Sequence, residues 1–241
     1  MNGIMKTKGR FFLKSTISAI PEAKPVVFFD TCALLEILRL PGRSIDPGRD
    51  FEQYMYMAEK ISSGDLIPVT SELVFQEFNQ HYFDEFITMK KWEQDKRDAV
   101  KRLTALMVNG KKRTRIEKAI SEIHTETNVT STISQIWRNT ILIREEKRFL
   151  EFAYHRVKYK QAPSQNKEQF KDSYIWGTFL NLAHSLVTNP LFYFTLNKKD
   201  YLEIGTNKLC SDIETDLKIL PNVKFHYVLG SLYGDLTKLI P

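Results

Sequence analysis

Apolar positions cluster early into Val26-Val27-Phe28-Phe29, a β-branched and aromatic run entered from Pro25. Continuous apolar runs of this length read as strands buried on both faces of a parallel sheet. Asp30-Thr31 stops the run, and Ala33 to Leu38 continues as a helix ending near Pro41-Gly42. Helical periodicity from Phe51 to Ile61 closes at Gly64, and Leu66 to Val69 predicts a second strand, with Pro68 expected near its end. Thr70 or Ser71 caps a third helix through Leu73, Val74, Glu77 and Phe78.

From Phe86 to Lys160 the pattern predicts helix and no strand. Trp92–Val108, Thr114–Thr125 and Ile133–Val157 carry apolar positions three and four apart, with joints at Gly110 and Asn128. A polar loop, Gln161 to Gln169, precedes a helix opened by Asp172-Ser173. Leu191 to Thr195 repeats the buried-strand pattern and ends in the turn Asn197-Lys198-Lys199-Asp200-Tyr201. A helix near Asp212 to Leu220 and a strand from Val223 to Val228 close the pass. Strand alternating with helix predicts an α/β fold with a central parallel sheet, broken by a long helical insertion.

The 241 residues fit one α/β domain with an insertion, or two small domains. Residues 1–24 read as a basic leader rather than a signal peptide, because Lys14 interrupts the apolar stretch after Phe11, Phe12 and Leu13 and no small-x-small cleavage pattern follows. No run is long enough to span a membrane. Cys32 and Cys210, the two cysteines, form no metal-ligand spacing, so a reducing cytoplasmic setting is expected rather than a disulfide or zinc scaffold.

Acidic residues gather where these predicted strands end. Asp30 follows the first strand, Asn197 and Asp200 lie past Thr195, Glu77 sits in the exit helix of the second strand, and Asp172 opens a later helix. Ligands of open parallel sheets bind beyond the carboxyl ends of the strands. Hard cations such as Mg²⁺ and Mn²⁺ take oxygen ligands and relieve the mutual repulsion of gathered carboxylates. Two such ions hydrolyse a phosphodiester without a catalytic histidine or cysteine. Each residue has a plainer reading as well. Asp30 and Asp172 are good helix caps, Asp200 suits a turn, and Glu77 suits a solvated helix face. Thr31, Ser71 and Thr195 suit capping or strand-end hydroxyls.

The ordered set Val26-Val27-Phe28-Phe29-Asp30-Thr31-Cys32-Ala33-Leu34-Leu35-Glu36, Val69 to Glu77, Asp172-Ser173-Tyr174-Ile175-Trp176 and Phe194 to Tyr201 resembles the PIN-domain nucleases. The resemblance covers roughly residues 25–85 and 165–230. It implies a three-layer α/β/α PIN-like fold, with a nuclease core in 25–85 and 165–241 and a basic helical insertion in 86–164. It also implies a metal-dependent endoribonuclease that uses Mg²⁺ or Mn²⁺ at Asp30, Glu77, Asp172 and Asp200. Thr31, Ser71, Thr195 and Asn197 would support the site or touch substrate. Asn197 departs from the family pattern, since many members carry Asp there. The long insertion departs from the small toxin-type members. A catalytically degenerate module binding RNA or protein, and a structure-specific DNA nuclease, are the alternatives.

Charge adds a polyanionic partner. The formal net charge is +6 at pH 7, and ten basic residues face four acidic ones between Lys91 and Lys118. Lys96, Arg97, Lys101, Arg102, Lys111, Lys112, Arg113 and Arg115 form either a phosphate-contacting arm or a solvated helical face. Trp92, Trp137 and Trp176 sit among apolar neighbours and read as core rather than as base-stacking platforms. Nucleic acid is the expected partner, RNA before DNA. A homo-oligomer and a protein inhibitor or operon partner are further expectations.

Overall fold

The run Val26–Phe29 is strand β1, and all four of its side chains are buried. The computed structural model describes residues 20–43, 47–106, 125–165 and 169–240. In chain order after β1 come α1 (Thr31–Arg43), α2 (Pro47–Ser62), β2 (Ile67–Ser71), α3 (Glu72–Ala105), α4 (Thr125–Asn139), β3 (Ile141–Ile143) and α5 (Lys147–Lys158). Next are α6 (Phe170–Ser185), β4 (Leu191–Phe194), α7 (Lys198–Tyr201), α8 (Ser211–Lys218), β5 (Val223–His226) and α9 (Leu229–Leu239). The five strands form one all-parallel sheet in the order β3-β2-β1-β4-β5. Helices cover both faces, giving a three-layer α/β/α architecture.

The strand order reverses at β1, which lies between β2 and β4. This is the switch point at which adjoining crossovers go to opposite faces and leave a crevice at the carboxyl ends of the strands. The β1–β4 register pairs Phe29 with Phe194, so Asp30 and Thr195 are the next residues to emerge side by side.

One face of the sheet carries an aromatic row. Phe28 stacks on Tyr193 at 5.6 Å between ring centroids, and Tyr193 stacks on Phe225 at 5.4 Å. Helix α6 lays Trp176 and Phe179 edge-on against Tyr193. Trp176 is fully buried and donates its indole N–H to Asp216 of α8 at 2.7 Å. Helix α5 packs parallel to α6 so closely that Gly177 faces the Phe152 ring, and no side chain fits there. Buried Arg156 of α5 completes this layer by pairing with Asp216.

The amino ends of the strands are tied by two amides. Asn189 donates to the carbonyls of Pro21 and Lys24, and Asn222 donates to those of Leu186 and Asn189. Each bond is 2.8 or 2.9 Å long.

Several sequence expectations need correction. The stretch from Phe86 to Lys160 is not free of strand: Ile141–Ile143 pairs with β2 from Val69 to Ser71. The expected helix Ile133–Val157 therefore divides into the end of α4, β3 and α5. Three apolar residues between helices are too few to show a strand period. Asn128 is no joint, since it lies inside α4 and its carbonyl accepts the Thr132 hydroxyl. Pro68 sits inside β2 with β1 on one side, yet β3 begins opposite Val69. The Ile67 N–H points to β1, so the absent N–H of Pro68 faces the side where β3 has not begun. Asp172 is the third residue of α6 rather than its cap, which is Gln169. The turn at Asn197 to Tyr201 is the short helix α7, and a final helix, α9, follows β5. The joint at Gly110 and nearly all of the Thr114–Thr125 segment lie outside the described residues, as do Lys111, Lys112, Arg113, Arg115 and most of the leader.

Candidate active site

Asp30 both starts α1 and enters the crevice. Its carbonyl accepts the N–H groups of Ala33 and Leu34, while its carboxylate oxygen Oδ1 accepts the Thr31 N–H at 2.6 Å. Capping and site placement are therefore the same position, at the positive end of a helix. Oδ2 accepts the Thr195 hydroxyl at 2.6 Å and the Cys32 thiol at 3.2 Å. A carboxylate has about four acceptor positions. Among the described residues three are used, and the remaining one is on Oδ1. Burial raises the pKa of Asp30 above the ordinary aspartate value. The bonds from Thr195, Cys32 and Thr31 pull it down, and Glu77 pushes it up.

The other three acidic residues share this neighbourhood. Thr31 donates its hydroxyl to Glu77 Oε2 at 2.8 Å, which links α1 to α3. Glu77 Oε1 pairs with Lys171 at 2.9 Å, linking α3 to α6. Asp200 is 5% exposed on α7. Asp172 holds its proton up to about 8, chiefly through burial and then through repulsion from Asp30, Asp200 and Glu77, while a hydrogen bond from Asn197 opposes the shift. Asn197, the residue before α7, places a neutral amide near Asp172 where an aspartate would add one more negative charge.

The hydroxyls divide their work. Thr195 Oγ1 donates to Asp30 and accepts the Asn197 N–H at 3.0 Å, so one side chain joins β1 to the start of α7. Ser71 caps α3 by accepting the Val74 N–H at 3.1 Å. Two participants escaped the sequence reading. Cys32 accepts the Leu196 N–H at 3.1 Å and so ties the loop after β4 to Asp30; its only signal was adjacency to Thr31. Lys171, beside Asp172 in sequence, supplies the positive charge against Glu77.

The basic residues of α3 stand apart from this cluster. Lys96 lies nineteen residues beyond Glu77 on one continuous helix, about 30 Å along its axis. Lys96 donates to the Pro41 carbonyl, Arg97 pairs with Glu93 at 2.7 Å, and Lys101 approaches Asp98 at 4.0 Å. Arg102 is exposed.

Among the described residues no three histidine, cysteine or acidic side chains stand as a ready ligand cluster for one ion. The donor set nevertheless fits a hard dication. It is all oxygen, Asp172 retains a proton through burial and the repulsion of three neighbouring acids, and Asp30 keeps one acceptor position. Mg²⁺ keeps several of its waters and needs only one or two carboxylates directly. No helix among the described residues is long and apolar enough to cross a membrane.

A family model described as PIN domain matches residues 27–201, which run from β1 through α7 and include all four acidic residues. No curated protein and no solved structure matches the chain. On the family match and the parallel α/β/α fold, the chain belongs to the PIN-domain family, whose members are typically nucleases that use divalent metal ions.

Proposed function

We propose that the protein is a metal-dependent endoribonuclease that hydrolyses RNA phosphodiesters at the carboxyl edge of its sheet. The observation that carries this reading is the bonded chain at the carboxyl end of β1, in which Asp30 is held by Thr195 and Thr31, and the Thr31 hydroxyl in turn holds Glu77, which pairs with Lys171 beside Asp172. A bound Mg²⁺ or Mn²⁺ supplies charge neutralisation and Lewis acidity toward the phosphate and the attacking water. Asp30, held by three donors, offers Oδ1 as the fixed ligand. Asp172 and Asp200 would complete the binding set, Asp172 in its deprotonated form. Glu77 orients the attacking water, with Lys171 beside it to meet phosphate charge. Thr31, Thr195 and Asn197 hold these groups in place, and Ser71 fixes the start of α3. The exposed basic residues of α3 contact the phosphate backbone well away from the cut. RNA is the polymer that the family resemblance favours.

The test is cleavage in Mn²⁺ by wild type and Asp30→Asn on single-stranded RNA, single-stranded DNA and branched duplex. The variant should lose at least about 100-fold in rate on RNA while keeping its circular dichroism spectrum. Equal cleavage by both proteins would overturn the assignment, and a preference for branched duplex would favour a structure-specific DNA nuclease. The Lys171–Glu77 pair favours a second reading, a non-cleaving RNA-binding module, because it already answers one of the site's charges. Salt-sensitive RNA binding without cleavage in Mn²⁺ would select that reading.

A further inference from the structure

Glu77 is held by two partners of different kinds. Its Oε2 accepts the Thr31 hydroxyl at 2.8 Å, a bond that ties it to the residue after Asp30. Its Oε1 meets the Lys171 ammonium at 2.9 Å. The hydroxyl leaves the charge of Glu77 in place, whereas the ammonium cancels it. The two partners also differ in freedom. Thr31 is buried at the start of α1. The Lys171 side chain is 58% exposed, against 17% for Glu77, and it reaches across on a flexible four-carbon stem.

An ion pair this open to solvent favours its paired state by a factor of only about 2 to 5. A dication carries twice the charge and answers several carboxylates at once, so it outcompetes one ammonium for Glu77. Lys171 cannot then go far, because its backbone is fixed one residue from Asp172 in the first turn of α6. Released from Glu77, it is a hydrated ammonium beside the carboxylates, suited to a phosphate oxygen.

We infer that Lys171 is a positioning residue, a resident counter-cation that holds Glu77 until a dication takes it and is thereby freed to contact phosphate. The site therefore takes metal before phosphate. The inference rests on the nuclease reading for its ligands, and it is tested without cleavage. Mn²⁺ affinity of the full chain is measured by electron paramagnetic resonance for wild type, Lys171→Met, Lys171→Arg, Glu77→Gln and the Lys171→Met/Glu77→Gln double variant. Lys171→Met should bind Mn²⁺ about 2- to 5-fold more tightly than wild type, and Lys171→Arg should match wild type. On the Glu77→Gln background the change to Met should make no difference. Inorganic phosphate, followed by ³¹P NMR, should bind Lys171→Met more weakly than wild type in Mg²⁺ and equally without it. An equal Mn²⁺ gain on both backgrounds would mean repulsion through space and overturns the counter-cation, as does no gain at all. A phosphate loss that ignores Mg²⁺ overturns the order of binding. The expected metal results without RNA cleavage in Mn²⁺ would overturn the nuclease reading and leave the counter-cation standing. Cleavage with flat metal results would do the reverse, and no Mn²⁺ binding would overturn both.

Discussion

Replacing Asp172 by Asn removes the group on which the site's repulsion is concentrated, and the effect on stability follows from proton linkage. An aspartate in the unfolded chain ionises near 3.8, whereas folded Asp172 keeps its proton up to about 8. Below about pH 4 both states carry the proton. Between about 4 and 8 only the unfolded state has released it, so folding stability falls as pH rises and levels off above about 8. Each unit of that interval is worth about 1.4 kcal/mol, which sets a ceiling of about 5–6 kcal/mol. Solvent reaches the half-buried carboxyl and screens it, so about 2 kcal/mol is the expected loss at pH 8. Asp172→Asn should therefore raise the melting temperature of the protein in EDTA at pH 8 by roughly 4–8 °C, and by almost nothing at pH 4. Added Mn²⁺ should reverse the order. A cation at 100 times its dissociation constant stabilises wild type by about 2.7 kcal/mol, and the variant should gain much less. Thermal unfolding of both proteins from pH 4 to 9, with EDTA and with Mn²⁺, reads all four arms. The reasoning fails if the variant is no more stable than wild type at pH 8 in EDTA, or if Mn²⁺ stabilises both equally.

Thr195→Val removes a buried donor to Asp30 and an acceptor for the Asn197 N–H. It should cost about 1–3 kcal/mol in urea unfolding and weaken Mn²⁺ binding about 10- to 100-fold by titration. Gly177→Ala would set a Cβ 2.6 Å from the Phe152 ring and should destabilise by about 1–3 kcal/mol without changing Mn²⁺ affinity. Neutralising Lys101 and Arg102 together should lower the slope of log affinity for single-stranded RNA against log salt by about 1.4, or 0.7 per lost contact. An unchanged slope would return those residues to the role of a solvated face.

Residues that obey short-range rules were readable in advance. Val26–Phe29 and Leu191–Phe194 announce themselves as buried strands, and Asp30 and Thr195 follow because they come next. The family resemblance and the order of the acidic residues then gave the fold. What stayed hidden depends on contacts between distant parts of the chain. The three residues of β3 are strand only because β2 offers an edge. Asp200 was named a site candidate from the resemblance, but its burial on the short helix α7, which brings its charge to bear on Asp172, is written in no local pattern.

The amide ties of Asn189 and Asn222 lie at the amino ends of the strands, opposite the carboxylates. Enzymes commonly trade stability for activity because the same groups serve both. Here the two requirements lie at opposite edges of one sheet. Directed evolution toward a hardier variant should find its gains along the Asn189 and Asn222 edge, where stiffening leaves the acidic cluster alone. Reporter insertions belong there as well, in the turns at Ser63–Asp65 and Val187–Thr188, so that a tethered label can follow substrate capture without entering the crevice.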